Sequence, residues 1–259
     1  MTKITIITVT YNAEKTFVRT AESVLTQTYP CVEHIIIDGA STDGTLAMAQ
    51  DYMHRSYASG GGHDVRIVSE PDNGIYDAMN KGLRYATGDY VVFLNAGDSL
   101  HAAGTLKAVA AAAGSGGALP AVLYGDTDIV DGAGVFLRHR RLAPPKEGLS
   151  WRSFRHGMLV CHQAFYALRD IAAVTPFDCA YRFSADVDWC IRVMREAERR
   201  GLAIRYVGSV TADYVNEGAT SVHHRASLWE RFRVMRHHYG VATAVAMHCW
   251  FVLRALVKP

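Results

Sequence analysis

Tyr90-Val91-Val92-Phe93-Leu94-Asn95-Ala96-Gly97-Asp98 reads as a buried strand that runs out into a polar turn and ends on a carboxylate. Five β-branched, aromatic and aliphatic residues in a row mark a strand covered on both faces. An acid placed just beyond such a strand sits at the carboxyl edge of a sheet, where open α/β folds bind their ligands. Two other strand ends carry similar punctuation: Val9-Thr10-Tyr11-Asn12 and Asp38-Gly39-Ala40-Ser41-Thr42-Asp43-Gly44-Thr45. Three such ends on one rim make a site, whereas one alone is a turn.

Working outward, strand and helix patterns alternate through the first hundred residues. Lys3 to Val9, His34 to Asp38, Val65 to Ser69 and Tyr90 to Leu94 read as strands. Between them lie helical patterns: one after Asn12, read as an N-cap, with Phe17, Ala21, Val24 and Leu25 on one face, one from Thr45 to about Tyr57, and one from Ile75 to Ala86. This alternation predicts an α/β fold, a Rossmann-like, mostly parallel central sheet flanked by helices. The Ser59-Gly60-Gly61-Gly62 stretch follows no strand and reads as a loop rather than a phosphate cradle.

Beyond Ser99 the rhythm changes to an Ala-rich helix (Ala102 to Ala113), short strands near Val122-Leu123-Tyr124 and Val135-Phe136-Leu137, and a basic loop from Arg138 to Arg155. A helix carrying Val187, Ile191, Met194 and Ala197 and a strand from Ala203 to Val210 follow. No linker separates this half from the first. The expected organisation is one domain over residues 1–222, in two halves (1–100 and 101–222), then C-terminal helices over 223–259.

That terminal segment joins a basic helix, Ser227 to Tyr239, to an apolar one, Val241 to Val257. Seventeen residues with an internal Arg254 fall short of the roughly 20 that span hydrocarbon. Six Lys/Arg against one Glu lie between Arg225 and Pro259. A basic helix beside an apolar one fits attachment to an anionic membrane surface. The alternatives are packing against the main domain or a homodimer contact. Net charge is only +2, so nothing points to nucleic acid. The five cysteines are widely spaced, with no C-x-x-C pair, and read as free thiols in a reducing compartment. No signal-peptide pattern opens the sequence. The expected location is cytoplasmic, peripheral on the inner face of the membrane.

With these stretches in place, the chain resembles family 2 glycosyltransferases with a GT-A fold, over roughly residues 3 to 240, and the resemblance makes residues 1–100 the donor (nucleotide-sugar) half and 101–222 the acceptor half. The strand ends above carry the resemblance. So do Asp72-Asn73-Gly74-Ile75-Tyr76-Asp77-Ala78-Met79-Asn80-Lys81-Gly82, Thr87-Gly88-Asp89, His162-Gln163-Ala164 and Ser184-Ala185-Asp186-Val187-Asp188-Trp189. The resemblance implies an inverting transfer of a sugar from a nucleoside-diphosphate donor, UDP by default, to a glycan or lipid-linked acceptor. It makes Asp98 the ligand of a divalent cation (Mn²⁺ or Mg²⁺), although Asn95 and Gly97 stand where the family often has acids. Asp186 becomes the general base, and His162 and Gln163 line the acceptor pocket.

Nucleotide-sugar recognition falls by resemblance to Thr10, Tyr11, Asn12, Asp38, Ser41, Asp72, Gly74 and Asp77, with Asn95, Ala96 and Gly97 on the donor rim. Lys81 is either a phosphate contact or an exposed helix lysine. Structural readings stand beside these: a turn or cap for Asp98, helix capping for Asp186, a dipole-favouring acid for Asp77 and a core histidine for His162. His223 and His224 could add a metal ligand or phosphate contact. Two other functions are weighed. A sugar-1-phosphate nucleotidyltransferase needs a Gly-rich basic loop after strand one, and Thr10-Tyr11-Asn12-Ala13 contains no glycine. A non-catalytic membrane scaffold does not require both Asp98 and Asp186.

Overall fold

A computed structural model describes residues 1–58, 60, 63–114, 117–145, 148–216 and 224–257. Most of the 59–62 glycine loop, and His223, therefore lie outside the described residues, and the His224 side chain is not described. Strands β1 (Ile4–Thr10), β2 (Val32–Asp38), β3 (Asp64–Ser69) and β4 (Tyr90–Phe93) alternate with helices α1 (Phe17–Leu25), α2 (Thr45–Ala58) and α3 (Ile75–Tyr85). Then come β5 (Ser99–Leu100), α4 (Thr105–Ala113), β6 (Val122–Val130), β7 (Phe136–His139), β8 (Phe165–Leu168), α5 (Arg169–Ala172), α6 (Ala185–Arg199) and β9 (Ile204–Val215). Helices α7 (His224–Tyr239) and α8 (Val241–Val257) follow.

All nine strands join one sheet in the order β3-β2-β1-β4-β8-β6-β9-β5, with β7 on β6. The first four are parallel, as their alternation with helices requires. From β4 onward the pairing is mixed, since β8 runs antiparallel to both β4 and β6 while β9 runs parallel to β6. The two halves read from the sequence thus share a single sheet.

Period-2 alternation sorts the strand side chains onto two faces. Ile7, Val9, Ile35, Ile37, Val91 and Phe93 pack with α3 and α6, while Ile4, Ile6, Tyr90, Val92 and Leu94 pack towards α1 and α4. Trp189 of α6, fully buried, stacks on Phe177 at 4.8 Å and meets Phe93 edge-on at 5.4 Å. That aromatic cluster seats the first turn of α6 against the end of β4. Gly82 lets α3 lie close on the sheet, because a Cβ there would fall 2.3 Å from Ile7 Cγ2.

Three local expectations change. Asn12 does not cap α1: it adopts φ 48 and its Oδ1 accepts from the Thr42 N–H, so it ties the β1 turn to the β2 turn, and Thr16 precedes the helix instead. Strands β5 and β8 were invisible as periodic runs, being two and four residues long; long-range pairing makes them strands. β6 and β9 extend well past Tyr124 and Val210, to Val130 and Val215. Among the described residues no helix is long and apolar enough to cross a membrane.

Candidate active site

The two acids singled out in the sequence open into the same cleft. Asp98 and Asp186 both line a cavity of about 590 Å³, together with Tyr76, Asn95, Ala96, Gly97, His162 and Gln163. Two consecutive residues on a short 3-10 turn bridge them. Gln163 Nε2 donates to Asp98 Oδ2 at 2.7 Å, and His162 Nδ1 lies 3.2 Å from Asp186 Oδ2. Gln163, expected on the acceptor side, thus engages the donor-side acid. Asn95 Nδ2 meets the other ring nitrogen of His162 at 3.2 Å.

The polar turn after β4 is clipped by α1. Thr20 Oγ1 donates to the Asp98 carbonyl at 2.6 Å and accepts from the Gly97 N–H at 2.9 Å, while Gly97 takes φ 106, a left-handed value that suits glycine. Asp98 Oδ1 accepts from the Val215 N–H at 3.1 Å, at the end of β9. Burial pushes the Asp98 carboxyl above its ordinary value, against the opposing pull of the Gln163 and Val215 hydrogen bonds and of His162 and Arg19.

These atoms suit a hard divalent cation. Each Asp98 oxygen accepts one hydrogen bond and keeps a lone pair, and Asn95 Oδ1 is a buried oxygen with no donor among the described residues. Among those residues Asp98 belongs to no cluster of three metal-ligating side chains. The one such group, His101 just after β5 with Asp128 of β6 and Asp213 of β9, does not line the cleft. Its His101 Nδ1 lies 2.8 Å from Asp213, and His139 is 2.7 Å from Asp128.

Asp186 opens α6. Its Oδ1 accepts from the Val187 N–H at 2.9 Å and from the Tyr76 hydroxyl at 3.3 Å. Burial raises its pKa, but the His162 hydrogen bond and charge, Arg231 and the Val187 N–H outweigh that and hold the carboxyl below its ordinary value. Tyr76 moves the other way, well above its ordinary value, through burial and the Asp186 charge, so it stays a donor. Asp188 does not share the cleft. It is buried, bonded to Arg192 at 2.6 Å and His238 at 2.7 Å, and fastens α7 to α6.

The nucleoside-side residues gather at the carboxyl ends of β1 to β3, where Thr10, Asp38 and Ser69 lie in one row. Asp38 is fully buried. Its Oδ1 accepts from Ser41 Oγ at 2.5 Å, and its Oδ2 accepts from the Ser41 N–H and Ser69 Oγ at 3.0 and 2.6 Å. Ser41 Oγ in turn accepts from the Asn12 N–H at 2.8 Å. Asp38 therefore organises the turn from behind rather than presenting a free carboxylate.

Tyr11 and Asp72 flank Gly39, whose missing Cβ would fall 3.3 Å from the Tyr11 ring and 2.5 Å from Asp72 Oδ2. Asp72 accepts from the Gly74 N–H, and Asp77 accepts from the Asn73 N–H at 3.0 Å, folding back over the start of α3. Lys81 is neither exposed nor on the cleft: it is buried, donating to the Pro71 carbonyl at 2.6 Å and pairing with Glu70 at 3.0 Å. It braces the loop that carries Asp72.

Sequence reasoning missed Tyr76, Arg182, Arg231 and Tyr214, which also line the cleft. Tyr76 lies inside a quoted motif, so only its partner was hidden. The arginines come from segments brought in by the docking of α7.

Comparisons with known proteins identify the family. The model of the family described as Glycosyl transferase family 2 matches residues 5–173. A "PGL/p-HBAD biosynthesis glycosyltransferase" of Mycobacterium bovis is 33% identical over 201 residues, 77% of this chain and 72% of that protein. An "Uncharacterized glycosyltransferase YibD" of Escherichia coli is 36% identical over 99 residues, 38% of this chain and 27% of its own. Among solved structures, S. aureus TarS 1-349 in complex with UDP-GlcNAc superposes with TM-score 0.67 at 19% identity, covering 99% of this chain and 73% of that one. The mannosyltransferase PcManGT from Pyrobaculum calidifontis, in complex with GDP-Man and Mn²⁺, gives 0.58 at 18% identity, covering 100% and 76%. The chain belongs to glycosyl transferase family 2 and is a glycosyltransferase with the GT-A fold.

Proposed function

We propose that this family 2 glycosyltransferase moves a sugar, with inversion, from a nucleoside-diphosphate donor to a hydroxyl of a glycan or lipid-linked acceptor, with Asp186 as the base. The observation that carries this reading is the His162-Gln163 pair, which holds Asp186 and Asp98 in one cleft at the carboxyl edge of the sheet. Bound UDP-GlcNAc and GDP-Man in the solved neighbours support a nucleotide-sugar donor. UDP is favoured by the resemblance.

Asp186 is ionised at neutral pH, because its pKa lies below the ordinary value. Its carboxylate accepts the proton of the acceptor hydroxyl as that oxygen bonds to the anomeric carbon and the bond to the diphosphate breaks. Tyr76 and the Val187 N–H hold Oδ1, and His162 holds Oδ2, so the carboxylate cannot swing away. A Mn²⁺ or Mg²⁺ ion held by Asp98 and the donor diphosphate would neutralise charge on the leaving phosphate. Tyr11, Gly39 and Asp72 receive the nucleoside, on a turn braced by Asp38, Ser41 and Asn12.

The C-terminal helices fit an anionic membrane surface on the cytosolic side. Trp229, Val241, Val245, Trp250, Val252 and Leu253 are exposed, with Arg233 and Arg236 exposed nearby.

A thermal-shift panel of UDP, GDP and dTDP with and without Mn²⁺ tests the donor half. Binding at a hundredfold excess over Kd adds about 2.7 kcal/mol of stability. UDP with Mn²⁺ should raise the melting point most, and no response to any nucleotide would overturn the reading.

A further inference from the structure

The cleft contains cationic groups that the reaction above does not employ. Arg140, Arg182 and Arg231 all line it. Arg140 is committed to the fold, donating to the carbonyls of Met158, Leu159 and Leu142. The other two are not. Neither guanidinium forms a hydrogen bond or ion pair with a described carboxylate, and Arg231 Nε is buried with no acceptor among the described residues. A desolvated donor without a partner is costly, so its retention in a cleft points to an anion that arrives with a ligand.

The placement of these arginines is fixed by the residue between them in space. Glu230 of α7 accepts from the N–H groups of Arg182, Phe183 and Ser184 at 2.8, 2.7 and 3.1 Å, on the turn that leads into Asp186. His238, about two turns further along α7, bonds to buried Asp188. With α7 locked to α6 at both points, Arg231 projects into the cleft beside Asp186, whose carboxyl responds to its charge.

We propose that Arg231, with Arg182, forms a phosphate-recognising subsite on the acceptor side of the cleft, so that the acceptor carries a phosphate or diphosphate close to its reacting hydroxyl. This rests on Asp186 being the base. In an in-line displacement the incoming hydroxyl and its base stand opposite the leaving diphosphate. Arg231 adjoins Glu230, which holds the 182–184 turn leading into Asp186, so both arginines stand on the side of attack, not of departure. Guanidinium forks match phosphate oxygens two at a time, which an ammonium does not.

The test uses the full chain saturated with UDP and Mg²⁺, titrated calorimetrically with geranyl phosphate and with geraniol. The wild type should prefer geranyl phosphate by tenfold or more. Arg231→Gln should lose that preference and keep its UDP affinity, and Arg231→Lys should retain part of it. Equal binding of the two probes by wild type overturns the proposal. So does a fall in UDP affinity in Arg231→Gln, which would place the arginine on the donor diphosphate. Full turnover by Asp186→Asn would instead overturn the functional reading and the acceptor-side assignment with it. That case is recognisable because the phosphate preference of Arg231 would survive.

Discussion

His162 Nδ1 lies 3.2 Å from Asp186 Oδ2, and its Nε2 lies 3.2 Å from the Asn95 amide nitrogen. A ring that accepts at Nε2 must carry its proton on Nδ1, so His162 donates to Asp186 and Asn95 selects the tautomer. The Asp186 carboxylate, the proposed base, is thereby oriented by a chain that begins on the polar turn after β4.

That chain sets the acid limit of activity. The Asp186 carboxyl lies below its ordinary value of 3.8, so its ionised form is present above that depressed pKa and is lost only as pH falls through it. Wild-type kcat should stay flat down to about pH 4, near the ordinary carboxylate value. His162→Gln removes the ring hydrogen bond that helps lower the pKa and leaves burial, so its acid limb should move to higher pH. Superimposable pH profiles would contradict the linkage. Asp186→Asn should lose about 10² to 10⁴-fold in kcat with UDP binding unchanged.

Asp98→Asn should cost both stability and metal response. An amide offers one acceptor where the carboxylate offers two, so either Gln163 or the Val215 N–H loses its partner. The cost is about 1–3 kcal/mol, read from urea unfolding. The Mn²⁺-dependent part of the UDP thermal shift should vanish, and its persistence would remove Asp98 from metal binding.

Gly39→Val tests the nucleoside slot. A Cβ at Gly39 would lie 2.5 Å from Asp72 Oδ2, so Asp72 must move and the gap beside Tyr11 must close. UDP affinity should fall at least tenfold while the circular-dichroism spectrum stays native. Undiminished UDP affinity would place the nucleoside elsewhere.

His34 should make the fold acid-sensitive. It is fully buried between Thr8 Oγ1 (2.9 Å) and the Tyr52 hydroxyl (2.7 Å), and burial, with His63 nearby, lowers its pKa to about 3. Below about pH 6.5 the unfolded chain takes up a proton that the folded chain refuses, so stability falls as pH drops towards 3. Between pH 7 and 5 the loss from this group should be about 2 kcal/mol. His34→Leu, less stable throughout, should show a shallower pH slope.

Sedimentation with phosphatidylglycerol vesicles against phosphatidylcholine vesicles tests the C-terminal surface. Arg233→Gln with Arg236→Gln should weaken anionic-vesicle binding by about 2 kcal/mol, near 1 kcal/mol per charge. Equal binding to neutral vesicles would leave the exposed apolar side chains as a protein contact.

The parallel half of the sheet was legible because strand and helix periodicities are local, and β1 to β3 end on polar residues while β4 runs on through Leu94 into the polar Asn95 turn. Asp98 and Asp186 could be named from motif order, and the cleft does bring them together. What escaped depends on distant pairing. Phe165–Leu168 is a strand only because β4 and β6 flank it. Lys81 looked available in sequence because nothing there reveals the Pro71 carbonyl beneath it. Arg231 was one basic residue among several on a helix, and only Glu230, by gripping the turn before Asp186, shows which of them faces inward.

That grip constrains how such chains can be recombined. One side chain of α7 satisfies three successive amides at the entrance to α6. A graft that exchanges only the terminal hairpin for a homologue's would leave those amides bare and the arginines misaligned. Chimeras that change acceptor choice must therefore carry residues 182–184 and 224–239 as one cassette, and the donor half can stay behind.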